Sequence, residues 1–296
     1  MKRILHWKTL LGIIAVVVIY FAYLFAYQAY DHFKKQKYLE NLSDTASPNV
    51  RVLKDTAYID YLDSKRTLHV YLPPAYETDS ARYPVIYFLD GSALFNDMVL
   101  RGPEWQVDEV IDEVVANGGP GAIVIGIEPS HDRNREYKPF APSEDPEEKE
   151  VSGDKHAEWI ATDLKAWVDS TYRTKPEAKF TTIGGASLGG LMAYYMVTSY
   201  ADVFGNAIVL SPSFWVNDKV FDLHQQVDNF DALKIYMNIG AREEGRMIPN
   251  ARKVYDTLIS KGMTEKNLQF DVEPNEGHWH PTWRKGFKKA YPWIVQ

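Results

Sequence analysis

Gly185-Ala186-Ser187-Leu188-Gly189 constrains this chain more than any other stretch. A strand-like run, Phe180-Thr181-Thr182-Ile183, stands just before it, and a helix-like run, Leu191-Met192-Ala193-Tyr194-Tyr195-Met196-Val197, just after. A G-x-S-x-G between strand and helix specifies a sharp turn that presents the serine at the edge of a sheet. The glycines answer crowding, because side chains at the flanking positions would strike the adjoining strand and helix. The helix start also aims backbone N–H groups at negative charge developing beside Ser187. The competing reading is a glycine-rich β-α turn with an incidental serine. The strand and the helix on either side favour the elbow.

The rest of the chain supplies a frame for such a turn. Apolar or β-branched runs occur at Val50–Leu62, Thr67–Leu72, Val85–Leu89, Ala122–Ile127, Phe180–Ile183, Ala207–Leu210, Ile235–Ile239 and Leu268–Val272. Helical periodicity fills Trp105–Val115, His156–Tyr172, Leu188–Tyr200 and Asn250–Lys261. Alternation of this kind predicts an α/β fold: a mostly parallel sheet of about eight strands with helices on both faces. Residues 51–296 then form one domain. Two long stretches break the rhythm, Glu128–Lys155 and Ser211–Leu233, and both follow strands. Such loops belong at the C-terminal edge of the sheet, where open α/β folds bind ligands.

Thr9–Tyr30 is a run of 22 residues without a charge. A helix of that length spans the roughly 30 Å hydrocarbon core of a bilayer. Trp7 at one end and Tyr20, Tyr23, Tyr27 and Tyr30 toward the other suit the two interfaces. We therefore expect a short tail over 1–8, a transmembrane anchor or uncleaved signal over 9–30 and a polar linker over 31–50. A cleaved signal would usually have a shorter core and an A-x-A site, and none is evident. Lys2, Arg3 and Lys8 flank one side, and Lys34, Lys35 and Lys37 the other. The expectation is an anchored protein with its catalytic domain periplasmic or extracellular. Net charge is −7, from 33 basic and 40 acidic residues; the first thirty hold three bases and no acid, so the body stands at −10. An acidic body argues against nucleic acid as a partner. With no cysteine there is no disulfide framework, thiol nucleophile or Cys-ligated metal.

A serine needs a base within hydrogen-bond reach. In this kind of fold the partners follow in the order Ser, Asp/Glu, His. His278 and His280 lie in Glu276-Gly277-His278-Trp279-His280-Pro281, after the last strand and before the final helix. His278 is preferred, because Gly277 lets the turn aim its neighbour. His280, before a proline, is expected to cap the helix or line the site. His224 lies in the Ser211–Leu233 stretch and reads as a surface residue. The acid should follow Ile235–Ile239, where Gly240-Ala241-Arg242-Glu243-Glu244 offers Glu243 and Glu244. Asp218 and Asp222 are weaker candidates on the preceding insertion. Oxyanion donors are expected at the backbone N–H of Leu188 and, after Val85–Leu89, of Ser92 in Asp90-Gly91-Ser92.

From Leu68 onward these pieces resemble the putative-esterase family of α/β hydrolases. That family includes S-formylglutathione hydrolases, feruloyl and acetyl-xylan-type esterases, enterochelin/salmochelin esterases and mycolyltransferases. Val70-Tyr71-Leu72-Pro73-Pro74 with Tyr83–Gly91 resembles its opening strands and oxyanion loop. Arg135-Glu136-Tyr137 is similar to its R-x-E-Y-like segment, one residue short. Gly185–Gly190 resembles the elbow, Ser211-Pro212-Ser213-Phe214-Trp215 the S-P-S-x-W segment, and Gly277-His278 with Trp283-Arg284 the ending. The resemblance implies an α/β-hydrolase fold and supports Ser187 and His278 by position. It favours Glu243 over Glu244, since the family's acid lies three residues after the glycine matching Gly240.

The expectation is a membrane-anchored serine carboxylic-ester hydrolase with a Ser187–His278–Glu243 triad and an acyl-enzyme, needing no metal or organic cofactor. Its partner is a small-molecule ester, with siderophore and aromatic or acyl sugar esters suggested by the resemblance. Trp215, Trp279, Arg135, Tyr137 and Phe95 are expected to line the pocket. Two alternatives share the residues: an acyltransferase using the same triad, and a non-catalytic membrane-tethered binding protein on this fold.

Overall fold

Near-continuous apolar runs bounded by turn residues make strands that are covered on both faces. The computed structural model describes residues 2–142 and 150–296. Its strands are β1 (Val50–Ile59), β2 (Ser64–Tyr71), β3 (Val85–Leu89), β4 (Ile123–Ile127), β5 (Thr181–Ala186), β6 (Asn206–Leu210), β7 (Lys234–Gly240) and β8 (Leu268–Glu273). They form one eight-stranded sheet in the order β1-β2-β4-β3-β5-β6-β7-β8. β1, β2 and β4 pair antiparallel, and all pairs from β4 to β8 are parallel. Every residue of β3, β4, β5 and β6 is buried. This is the α/β fold that the sequence predicts, with most strand boundaries within a residue or two.

Two apolar layers cover the sheet. One gathers Val70, Tyr87, Ile125, Ile183, Val209 and Met237 with α7 (Leu188–Ser199). The other gathers Phe88, Val124, Ile208 and Tyr236 with α3 (Val107–Ala116) and α9 (His280–Ile294). α7 is apolar almost all round, as a helix pressed into the centre of a fold must be. The predicted helix over 156–172 starts earlier, as α5 (Gly153–Trp159), and reaches α6 (Lys165–Thr171) through one π-turn at Ile160–Leu164. α8 (Met247–Ser260) links β7 to β8. Two short helices sit on loops, α2 (Asp97–Leu100) and α4 (Arg133–Glu136). The latter lies inside the predicted loop Glu128–Lys155, of which residues 143–149 are outside the described residues.

The chain divides into two units at Asp44. The N-terminal unit is built on α1 (Lys2–Glu40), long and apolar enough by composition over Thr9–Glu40 to cross a membrane. It continues ten residues past the uncharged run, because Phe33, Lys34, Gln36 and Lys37 carry no helix breaker. The far end of the expected linker belongs to the other unit. Asp97 N–H donates to Thr45 Oγ1 at 2.9 Å, and Ser47 N–H to Asp108 Oδ2 at 2.7 Å. Only Asn41–Asp44 then remain between helix and sheet-bearing unit.

Candidate active site

The turn after β5 sets Ser187 at φ 60° and ψ −120°, a backbone conformation unfavourable for a residue with a side chain. The surroundings enforce it. Ser187 N–H donates to Leu210 O at 2.9 Å, and Ser213 N–H donates to Ser187 O at 3.0 Å. A Cβ at Gly185 would lie 2.5 Å from Gly189 O, and one at Gly190 2.7 Å from Leu210 O. The two glycines are therefore what lets α7 start directly above β6.

His278 reaches the serine from the loop after β8. Its Nε2 lies 2.9 Å from Ser187 Oγ, and its Nδ1 lies 2.9 Å from Glu243 Oε2. Glu243 comes from the loop after β7 and is buried. Its second oxygen accepts Gly240 N–H at 2.8 Å and Ser211 Oγ–H at 2.6 Å. A carboxylate satisfied in this way keeps its position and orients the imidazole. Trp283 packs edge-on against the His278 ring, with centroids 5.4 Å apart. Glu244 is exposed, and so takes no part in this chain of contacts. His280 faces inward instead: its Nδ1 accepts the Trp105 indole N–H at 2.7 Å, and burial lowers its pKa. His224 contacts Phe221 O, within its own short 3₁₀ segment.

The loop after β3 carries Asp90, at φ 61°, and then Gly91 and Ser92. Arg133 Nε and Nη2 donate to the two Asp90 carboxylate oxygens at 2.5 and 2.6 Å. The same guanidinium lies 4.7 Å over the Tyr137 ring, and Asp90 N–H donates to Tyr137 Oη at 3.0 Å. Arg133 also reaches Ala186 O, next to the nucleophile, at 3.4 Å. The loop is thus clamped to the elbow. Among the described residues, neither Leu188 N–H nor Ser92 N–H donates to a backbone carbonyl.

The five expected pocket residues divide. Trp215 and Trp279, on the loops after β6 and β8, are 42% and 52% exposed. Phe95 is buried against Tyr71, with centroids 6.4 Å apart, and Tyr137 is fully buried. Neither can offer a surface to a ligand; Tyr137 instead holds Asp90. Arg135 points to Glu150, 3.4 Å away, at the exposed surface. The structurally engaged arginine is Arg133, two residues earlier. Sequence reasoning passed over it, and also over Ser211 and Ser213, although both serines stood in the S-P-S-x-W segment. Ser213 Oγ lies 3.3 Å from Ser187 Oγ.

One cluster gathers carboxylates as a metal site would. Carboxylate oxygens of Glu104, Asp108 and Glu109 lie within 4.8 Å of one another. Burial pushes the Glu104 and Asp108 carboxyls up to about 8.

The family described as "Putative esterase" matches residues 59–294. The chain belongs to this esterase family. Its relatives include the uncharacterized protein YbbA of Bacillus subtilis, 28% identical over 77% of this chain and 92% of that protein. The ferri-bacillibactin esterase BesA of Bacillus subtilis is 30% identical over 73% of this chain and 81% of its own. Among solved structures, the siderophore hydrolase EstA from Aspergillus nidulans has a TM-score of 0.62 at 19% identity, covering 81% of this chain and 93% of that one. This chain is accordingly an esterase on an α/β-hydrolase fold.

Proposed function

We propose that Ser187, His278 and Glu243 are the nucleophile, the base and the orienting acid of a membrane-anchored carboxylic-ester hydrolase. The observation that carries this reading is the unbroken series of contacts from Ser187 Oγ through His278 to Glu243, each 2.9 Å long. His278 Nε2 takes the serine proton as Oγ attacks the ester carbonyl. Glu243 fixes the Nδ1–H tautomer and stabilises the imidazolium without itself taking the proton. Leu188 and Ser92 N–H groups receive the oxyanion, each worth about 2.7–4 kcal/mol in comparable sites. His278 then protonates the leaving alcohol, and later activates the water that releases the acyl group.

The exposed Trp215 and Trp279, on the same loops as Ser213 and His278, suit an ester with an aromatic portion. The name of the BesA relative supports siderophore esters as the first class to try. The uncharged run Thr9–Tyr30 supports an anchor, with the catalytic unit periplasmic or extracellular. The test is hydrolysis of p-nitrophenyl acetate by wild type and Ser187→Ala. Loss of turnover by about three orders of magnitude or more is expected. A Ser187→Ala protein as fast as wild type would overturn the reading.

A further inference from the structure

Among the described residues of the sheet-bearing unit, eight large apolar side chains are exposed: Val52, Tyr58, Leu62, Met98, Val99, Trp215, Ile259 and Trp279. Four of them lie on loops that leave the C-terminal ends of parallel strands. Met98 and Val99 stand on the short helix Asp97–Leu100, in the loop after β3; Trp215 follows β6 and Trp279 follows β8. All three loops leave the C-terminal ends of parallel strands, which is where Ser187 sits. Met98 is 53% and Val99 47% exposed, and neither belongs to the hydrogen-bonded chain around the serine. Exposed apolar groups gathered on one edge mark a contact surface.

The route of the chain says what covers it. Thr45, the first residue of this unit, is held by Asp97 N–H, on the same short helix that presents Met98 and Val99. Five residues earlier, at Glu40, a helix ends whose apolar stretch is long enough to cross a membrane. The sheet-bearing unit therefore begins against the short helix that exposes Met98 and Val99. Exposed Arg101, closing the short helix, adds a cation that suits a phosphate headgroup. Tryptophan and arginine are groups that an interfacial surface uses.

We propose that the edge carrying Met98, Val99, Trp215 and Trp279 docks on the surface of a lipid bilayer, so that the site opens at the membrane. The proposal rests on the anchor in the function proposed above. The absence of cysteine allows a single probe to be placed at will. Val99→Cys and Met98→Cys in the full chain would each carry a bimane, with Ile259→Cys as the control. Ile259 is 38% exposed near the end of α8, at the opposite edge of the sheet. The proteins would be inserted in vesicles of phosphatidylcholine with a minor share of phosphatidylglycerol, with and without brominated acyl chains. Quenching several-fold stronger at Val99→Cys and Met98→Cys than at Ile259→Cys is expected. Equal quenching at all three positions overturns the docking. Labelling of Ser187 by a fluorophosphonate in the same vesicles reports the hydrolase reading separately. A labelled serine with unquenched probes rejects the docking alone, and quenched probes on a protein that does not label reject the chemistry alone.

Discussion

Ser211 Oγ donates to Glu243 Oε1 at 2.6 Å, on the side of the carboxylate turned away from His278. The serine is itself held at φ 41° by the turn after β6, with its N–H on Asn238 O at 2.7 Å. Removing a hydrogen bond to a charged group costs about 1.5–3 kcal/mol, and part of that is felt as lost aim of the imidazole. Ser211→Ala should lower kcat for p-nitrophenyl acetate by roughly tenfold with little change in KM. An unchanged kcat would mean that Gly240 N–H alone fixes Glu243.

Arg133 does for the oxyanion loop what Ser211 does for the acid. Its planar fork meets both Asp90 oxygens, and its face covers Tyr137. Lysine supplies the charge but neither the fork nor the stacking plane. Arg133→Lys should leave the protein folded and reduce kcat by roughly 10- to 100-fold, since small displacements of donors are costly. Full activity in Arg133→Lys would show that the loop keeps its shape without the clamp.

Arg66 and Glu136 form a buried ion pair at 2.5 Å, with side chains 8% and 2% exposed. Glu136 also accepts Ser130 N–H at 2.8 Å, which pins the loop after β4. Arg66→Ala would strand a carboxylate in the interior. A loss of about 3–5 kcal/mol in unfolding free energy is expected from denaturant titration. A change below about 1 kcal/mol would mean that the pair is solvated as an ordinary surface bridge is.

These residues also mark where the sequence was legible. The sheet was readable because continuous runs such as Ile123–Ile127 satisfy both faces of a parallel strand. Ser187 and His278 could be proposed because each stands on its own post-strand turn, at a position that chain order restricts; position alone left Glu243 and Glu244 open, and the family resemblance favoured Glu243. Contact partners were less accessible. Arg133 and Arg135 look alike in a short motif, and only the turn after Asp132 decides which faces Asp90 and which faces Glu150. Phe95 and Tyr137 were expected at the site because aromatics suit pockets, but aromatic rings are mostly buried by default. Helix propensity past Tyr30 was also undervalued, since charge marks the end of a membrane span and not the end of a helix.

Glu104 and Asp108 predict how stability follows pH. Burial raises both carboxyls to about 8, whereas in the unfolded chain they ionise in the ordinary carboxylate range. The folded state therefore holds extra protons between those limits. Its contribution to stability is complete below the ordinary range and is lost as pH rises through about 8. Thermal unfolding should show a lower Tm at about pH 9 than at about pH 5. Asp108→Asn keeps an acceptor for Ser47 N–H and removes the ionisable group. It should flatten the slope, and an unchanged slope would assign the effect elsewhere.

The most direct test of the account is whether Ser187 is activated. The full chain in detergent would be treated with a fluorescent fluorophosphonate as wild type, Ser187→Ala and His278→Ala. Strong labelling of wild type, none of Ser187→Ala and little of His278→Ala is predicted. Labelling of Ser187→Ala at the wild-type level, or a folded wild type that does not label, would contradict the proposed triad.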